Sequence, residues 1–356
     1  MHAVRLGLYQ FRLYARRYFE LSPSVNVFFG PNAQGKTSVL EALFLCSIGK
    51  SFRANQLNDL IQRGKEGFCV DLHYEKCGID QEIKVYGTSS ERFVQINGTK
   101  QPLSALSGGL TAVASTPDDI YLVKGPPALR RDYLDQQLLQ VDPLYSHHLK
   151  RYGRALKQRN SLIRAQVNET LDSWEYELAH SAAYLIAVRK EAIEKLSTFA
   201  GHIYSALSGK PTPLTLTYKP GVAEIEREQL SRVWKTSRAR DMAVGTTLIG
   251  PHKDDCLILL DQMDLRHFGS EGEQRSAAIA LKLAEWELIL SKSEGEKPLL
   301  LIDDIGFGLD AQRQAGLMRW LGQAGQVLVT TTHSEQLPLS TSDKSFFIEG
   351  PSERHV

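Results

Sequence analysis

Val25-Asn26-Val27-Phe28-Phe29-Gly30-Pro31-Asn32-Ala33-Gln34-Gly35-Lys36-Thr37-Ser38-Val39-Leu40-Glu41-Ala42-Leu43-Phe44-Leu45-Cys46-Ser47 is the stretch that decides the reading. Its middle, Gly30 to Thr37, fits G-x-x-x-x-G-K-[ST], the phosphate-binding loop. The five residues before it are β-branched, aromatic or small and predict a buried strand. The residues after it are apolar at helical spacing. A strand that feeds a glycine-bearing loop opening a helix makes a nest of backbone N–H groups. The helix N-terminus adds its partial positive charge to that nest. Gly30, Pro31, Asn32, Ala33, Gln34, Gly35, Lys36, Thr37 and Ser38 are therefore the candidate nucleotide-binding residues. Lys36 is expected to reach the β- and γ-phosphates, and the Thr37 hydroxyl to ligate Mg²⁺.

The totals set bounds. At 356 residues the chain has room for two lobes and a sizeable core. Net charge is +1, so any nucleic-acid binding must come from local patches. Cys46, Cys69, Cys77 and Cys256 form no C-x-x-C pair, which points away from a zinc ribbon or a disulfide frame. The start, Met1-His2-Ala3-Val4-Arg5, has no signal-peptide core, and no apolar run approaches a membrane span. A cytoplasmic protein without a membrane partner is the expectation.

Working outward, Val4 to Tyr9 alternates and predicts a strand, followed by a Tyr/Phe/Arg-rich link from Phe11 to Phe19. Residues 68–100 alternate again and end at Asn97-Gly98, a hairpin signal. They predict a mostly antiparallel sheet beside the nucleotide-binding strand. From Pro126 the character changes. Arg130 to Arg164 is helical in period, with eight basic residues against three acidic ones. Asp172 to Ser208 continues as a long amphipathic helix until Gly209-Lys210-Pro211 breaks it. A short strand, Leu214 to Tyr218, and a helix from Glu224 to Met242 complete an inserted helical arm. The basic residues of the arm read either as a solvated helix face or as a contact for an anionic polymer.

Site chemistry returns after residue 243. Gly250-Pro251-His252-Lys253-Asp254-Asp255 is a polar turn before a strand. Ser270-Glu271-Gly272-Glu273 opens a helix with the S-x-x-E capping pattern. Pro298 to Ile302 is a continuous apolar run, as a buried parallel strand requires, and it ends in Asp303-Asp304. A carboxylate at the C-terminal end of a core strand, opposite a phosphate loop, is where Mg²⁺ is held. Gln326 to Thr332 predicts another buried strand, ending at His333. A lone His after a strand is usually structural, but beside this site it is also a candidate catalytic group.

Most of the chain lies between the phosphate loop and Asp303-Asp304. That order of pieces resembles the head of the ABC ATPases. Several short motifs narrow the resemblance to the RecF family of bacterial recombination ATPases, over essentially the whole chain. They are the loop with Leu40-Glu41-Ala42, then Lys50-Ser51-Phe52-Arg53, Pro117-Asp118-Asp119, Gly125-Pro126-Pro127 leading to Arg130-Arg131-Asp132-Tyr133-Leu134-Asp135, and Gly250 to Asp255. The resemblance implies an α/β, ABC-type P-loop ATPase head, a mixed sheet plus an antiparallel β subdomain, with an inserted α-helical arm. It divides the chain into 1–125, 126–242 and 243–356.

The resemblance also implies roles. ATP and Mg²⁺ are the cofactors. Asp303 looks like the magnesium ligand, and Asp304 like the acid that polarises water. Ser270 and Gly272 look like the signature that meets a nucleotide held by a second copy. Asp310 looks like the D-loop, and His333 like the switch. The implied function is slow ATP hydrolysis in DNA repair, replication and the SOS response. An ATP-dependent homodimer would act on single- and double-stranded DNA and gap junctions, with RecR and RecO as partners and RecA as the protein loaded. Lys50, Arg53, Arg151, Arg154, Lys157 and Arg159 are the candidate DNA contacts. The sequence departs from the family pattern at Asp304, where Glu is usual, and at Glu271 and Glu273, where Gln is frequent. The rival readings are a transporter's ATPase subunit and a small-molecule kinase.

Overall fold

The computed structural model describes residues 1–54, 56–209, 211–223, 226–305, 309–332 and 340–350. Its first strands are β1 (His2–Phe11) and β2 (Tyr14–Glu20), an antiparallel pair. The Phe11–Phe19 segment is thus mostly strand rather than link. Gln10 and Arg12 take left-handed backbone angles (φ 50° and 55°) and fold it back on β1. β3 (Val25–Phe29) leaves for a second sheet and runs through the loop into α1 (Lys36–Ile48). β4 (Gly67–Lys76), β5 (Ile79–Thr88), β6 (Arg92–Ile96) and β7 (Thr99–Gln101) return to the first sheet, of order β2-β1-β4-β5-β6-β7. Asn97 and Gly98, both at positive φ, make the turn between β6 and β7.

β8 (Ala112–Ser115) opens the path to the helices α2 (Ile120–Lys124), α3 (Pro127–Val141), α4 (Pro143–Arg164) and α5 (Leu171–Ser208). Pro127 and Pro143 sit at first helical positions, where the missing N–H costs nothing. The Asp142 carboxylate caps α4 by accepting from the Tyr145 N–H at 3.0 Å. Gly209, at φ 65°, ends α5. Then follow β9 (Leu214–Lys219), α6 (Arg227–Val244), β10 (Asp255–Leu260), β11 (Met263–Asp264), α7 (Leu265–Phe268), α8 (Glu271–Lys292), β12 (Leu299–Ile302), α9 (Ala311–Leu321), β13 (Val327–Thr331) and β14 (Lys344–Phe347).

The second sheet has the order β14-β3-β13-β12-β8, and every neighbouring pair in it is parallel. β8, β12 and β13 are buried at every residue, which is why their sequences run apolar without alternation. β3 and β12 flank β13, so their C-terminal ends lie on one edge of the molecule.

The helical insertion does not have a core of its own. One cluster of buried side chains runs from Val27 and Val113 through Leu178, Leu185 and Leu196 of α5 to Leu281 and Leu288 of α8. β9 pairs antiparallel with β10, Leu214 opposite Leu260 and Tyr218 opposite Cys256. A boundary between 242 and 243 would cut that sheet. β9 alternates buried and exposed residues and needs a partner along its edge as well as a cover for its face. Composition marks where the helices begin but not which strand this one pairs with.

Arg159 corrects an expectation. It is fully buried and cannot touch DNA. Its guanidinium donates to Glu175 (3.1 Å), to Asp241 (2.7 Å), to the Thr247 hydroxyl (2.7 Å) and to the Trp234 carbonyl (3.1 Å). It falls on the helix face that points inward, where α4, α5 and α6 meet, and its charge is matched by two buried carboxylates. Removing one partner of such a network leaves uncompensated buried charge, at a cost of about 3–5 kcal/mol. Arg159→Ala should therefore lower the denaturant midpoint sharply, while Arg154→Ala, one exposed turn earlier, leaves it unchanged. Urea unfolding of both variants checks this.

Candidate nucleotide-binding site

The loop is shaped by two glycines that no other residue could replace without strain. Gly30 has φ 140°, and a Cβ there would lie 2.5 Å from the Ile348 carbonyl oxygen. Gly35 has φ 103°, and a Cβ would lie 3.0 Å from the Tyr14 hydroxyl, which itself donates to the Gly35 carbonyl at 3.2 Å. Burial pushes that tyrosine up to about 12. Lys36 curls back over the loop and donates to the carbonyls of Gly30 (2.7 Å) and Pro31 (2.8 Å). Burial holds its ammonium below the usual lysine range, and the carboxylates of Asp304 and Asp303 pull the other way.

The parallel sheet brings the second half of the site to this loop. The Thr37 hydroxyl donates to Asp303, 266 residues away, at 2.8 Å. The Thr330 hydroxyl donates to the same carboxylate at 2.7 Å and accepts from the Asp304 N–H at 2.8 Å. Asp304 is held at φ 57°, a left-handed conformation uncommon for a residue with a side chain. Burial raises its carboxyl above the usual range, the charge of Asp303 adds to this, and Lys36 opposes it. A cleft of about 560 Å³ opens over these groups. Its donor set at Thr37 and Asp303 is oxygen only, which suits Mg²⁺ better than a softer metal.

Arg12, Arg53 and Arg63 also line this cleft. No periodicity or motif in the sequence marks Arg12 or Arg63. Arg12 reaches the site because the β1–β2 turn passes beside α1, where its guanidinium forks onto the buried Glu41 at 2.7 and 2.6 Å.

Ser270, Gly272 and Asp310 lie apart from the cleft. Ser270 caps α8 in a full capping box: its hydroxyl accepts from the Glu273 N–H at 3.3 Å, and the Glu273 carboxylate accepts from the Ser270 N–H at 2.9 Å. Glu271 pairs with Arg275 at 2.7 Å, and that guanidinium holds its carboxyl below the usual range. Asp310 caps α9 by accepting from the Arg313 N–H at 2.9 Å and is ion-paired with the Arg313 side chain. The same Arg313 would lie 3.5 Å from a Cβ at Gly272, so one arginine stands between the starts of α8 and α9. His333 lies outside the described residues, as do Gly306-Phe307-Gly308 just before Leu309-Asp310. Of the basic candidates, Lys50, Arg53, Arg154 and Lys157 are exposed, and Arg151 is half-buried against Glu177.

A parallel sheet with a phosphate loop at the end of one strand, an acidic pair at the end of another and a capped Ser-x-Gly helix defines an ABC-type P-loop ATPase head. The comparisons make the assignment specific. Residues 3–348 match the RecF/RecN/SMC N-terminal domain family, to which the chain belongs. The "DNA replication and repair protein RecF" of Protochlamydia amoebophila is 44% identical over 96% of this chain and 97% of its own length. That of Ruminiclostridium cellulolyticum is 34% identical over 96% of both chains. A solved structure of the recombination mediator protein RecF-ATPrS in the RecFOR pathway superposes with a TM-score of 0.88 at 29% identity, covering 98% of this chain and 96% of that one. An Smc head bound to the C-winged helix domain of ScpA superposes at 0.55 with 16% identity, covering 94% and 91%, and shares the fold.

Lys36→Met removes the ammonium and its donors while keeping much of the bulk. A charge-assisted hydrogen bond contributes about 1.5–3 kcal/mol, so ATP affinity should fall by roughly 10- to 150-fold. Equilibrium binding of a fluorescent ATP analogue checks this.

Proposed function

We propose that this ATPase is a DNA-binding protein of recombinational repair and replication, in which ATP closes two copies on DNA and hydrolysis releases them. The observation that carries the reading is the meeting of Thr37 with Asp303 beside Lys36. It supports a nucleotide site built from both ends of the chain, in a family whose closely similar members are named for DNA replication and repair. Thr37 and Asp303 would hold Mg²⁺, which when bound neutralises charge developing between the β- and γ-phosphates. Lys36 turns from its own loop carbonyls to the phosphates. Asp304 orients the attacking water, and its short side chain makes hydrolysis slow.

Ser270 and Gly272 are not among the residues lining the chain's own cleft, and Ser270 is exposed at a helix N-terminus. This arrangement supports a contact made in trans, with Asp310 beside it. Glu271 and Glu273 face that contact already engaged, one with Arg275 and one in the cap, which reduces their repulsion of a partner's phosphates. Lys50, Arg53, Arg151, Arg154 and Lys157 are the proposed DNA contacts. RecR and RecO are the proposed partners at gapped DNA, with RecA loading the outcome and His333 the switch. The proposed location is cytoplasmic; among the described residues no helix is long and apolar enough to cross a membrane.

Two predictions follow from the division of labour. Ser270→Arg should leave ATP binding by the monomer near normal and block ATP-driven dimerisation. Sizing by light scattering with ATP and duplex DNA distinguishes this from a variant that still dimerises, which would remove the trans contact. Asp303→Asn should weaken productive nucleotide binding, whereas Asp304→Asn should leave it intact and slow single-turnover hydrolysis by on the order of 10²–10⁴-fold. DNA should then dissociate more slowly from Asp304→Asn in ATP. Slowed hydrolysis with an unchanged DNA off-rate would show that hydrolysis does not open the clamp.

A further inference from the structure

A second cavity, of about 660 Å³, lies between α4 and α5, built from residues other than those of the nucleotide cleft. It falls within the 300–1,000 Å³ range of small-molecule sites. His147, Lys150, Arg151 and Arg154 recur at helical spacing along α4 and line it, spanning about 10 Å of helix, enough to reach more than one phosphate. Trp174 and Glu177 of α5 form the other wall. Glu177 is the single carboxylate of the lining and is engaged by Arg151, its Oε1 accepting at 2.8 Å. Lys150 and Arg154 have no ion pair among the described residues.

Trp174 differs from the other tryptophans of the chain. Trp234 and Trp286 are buried, and their indole N–H groups donate to the carbonyls of Ile249 (2.8 Å) and Pro298 (2.9 Å). Trp320 packs edge-on against Trp286. Trp174 is half-buried at the margin of the core and shows part of its ring to the groove.

We infer that this groove binds single-stranded nucleic acid: an unstacked base lies on the Trp174 ring, and the flanking phosphates pair with Lys150 and Arg154. A row of cations beside a partly exposed aromatic ring is the chemistry that holds single strands without regard to sequence. A duplex offers the cations its phosphates but keeps its bases stacked away from the ring. The inference rests on the DNA-binding reading above and narrows it, because it assigns strand discrimination to one residue.

The test is fluorescence anisotropy of the full chain with labelled oligothymidylate and with a blunt duplex of equal length, across a salt series. Trp174→Leu keeps apolar bulk against the core and removes the stacking surface. It should weaken oligothymidylate binding by roughly 5- to 150-fold, with duplex binding within twofold and ATP binding unchanged as the measure of folding. Trp174→Phe should recover most of the loss. Lys150→Glu with Arg154→Glu should flatten the slope of log K against log salt by about 1.4 for the single strand. Equal weakening of both ligands by Trp174→Leu, or no weakening of either, would overturn the inference while leaving DNA binding in place. Displacement of oligothymidylate by poly-glutamate at equal charge would mark a groove for acidic peptides and also overturn it. An unmodified protein that binds neither DNA fails both readings together.

Discussion

The hydrogen bond from Thr37 to Asp303 places a demand on most of the chain. Thr37 opens α1 beyond the end of β3, and Asp303 follows β12; the two strands are separated in the sheet by β13 and in sequence by the whole helical insertion. Parallel strands need crossovers, and their C-terminal ends must align before a phosphate loop and a carboxylate can meet. β13 sets that alignment: Val327 pairs with Val25 on one side and with Leu300 on the other. Thr330, at the end of the same strand, then pins Asp303 through its hydroxyl and the Asp304 backbone through the same oxygen. The strained backbone of Asp304 is held by that contact.

A chain that sends its strand partners this far apart must also fix the insertion rigidly to the sheet. Buried arginines do so. Arg159 joins α4, α5 and α6. Arg189 of α5 donates to Asp254 (2.7 Å), to the Pro251 carbonyl (2.8 Å), to Asp135 of α3 (2.8 Å) and to the Tyr145 hydroxyl (2.9 Å). Arg130 of α3 forks onto Asp255 at 2.7 and 3.1 Å. The Gly250–Asp255 segment, which reads as site chemistry in the sequence, is therefore the joint between arm and head. Asp254 there also accepts from the Tyr218 hydroxyl and, at 2.7 Å, from the Gly221 N–H. The planar guanidinium serves this place because its several fixed donors satisfy carboxylates and carbonyls from different elements at once.

Much of this was legible beforehand, and the reasons differ by element. The phosphate loop, the capping box at Ser270 and the buried strand before Asp303 each follow from local rules, so their positions emerged directly. The helices of the insertion showed because their period is long and uninterrupted. β2 was hidden, since Tyr14–Glu20 is largely exposed and lacks apolar alternation. The role of Arg159 was hidden as well. Basic residues on a helix look alike in one dimension, and only the packing of α5 and α6 separates an inward guanidinium from the outward Arg154 and Lys157. Arg12 reaches the cleft from the β1–β2 turn and Arg63 from the connection before β4, and such segments carry no periodic signal about where they end up.

The carboxylate pair explains why the site is built from strand ends rather than from loops. Asp303 and Asp304 are adjacent, and the field of the first raises the carboxyl of the second on top of the cost of burial. Two like charges in one partly desolvated cleft oppose each other, and Lys36 offsets this only in part. On the proposed reading, a divalent cation held at Asp303 would relieve the repulsion, so nucleotide loading would favour ionisation of Asp304. Such coupling works only if the carboxylates cannot swing away from each other. Hydroxyls from two neighbouring elements hold Asp303, and the left-handed backbone turns Asp304 toward the other side. A looser mount on an exposed loop would let the pair separate and lose the linkage between filling the site and arming it.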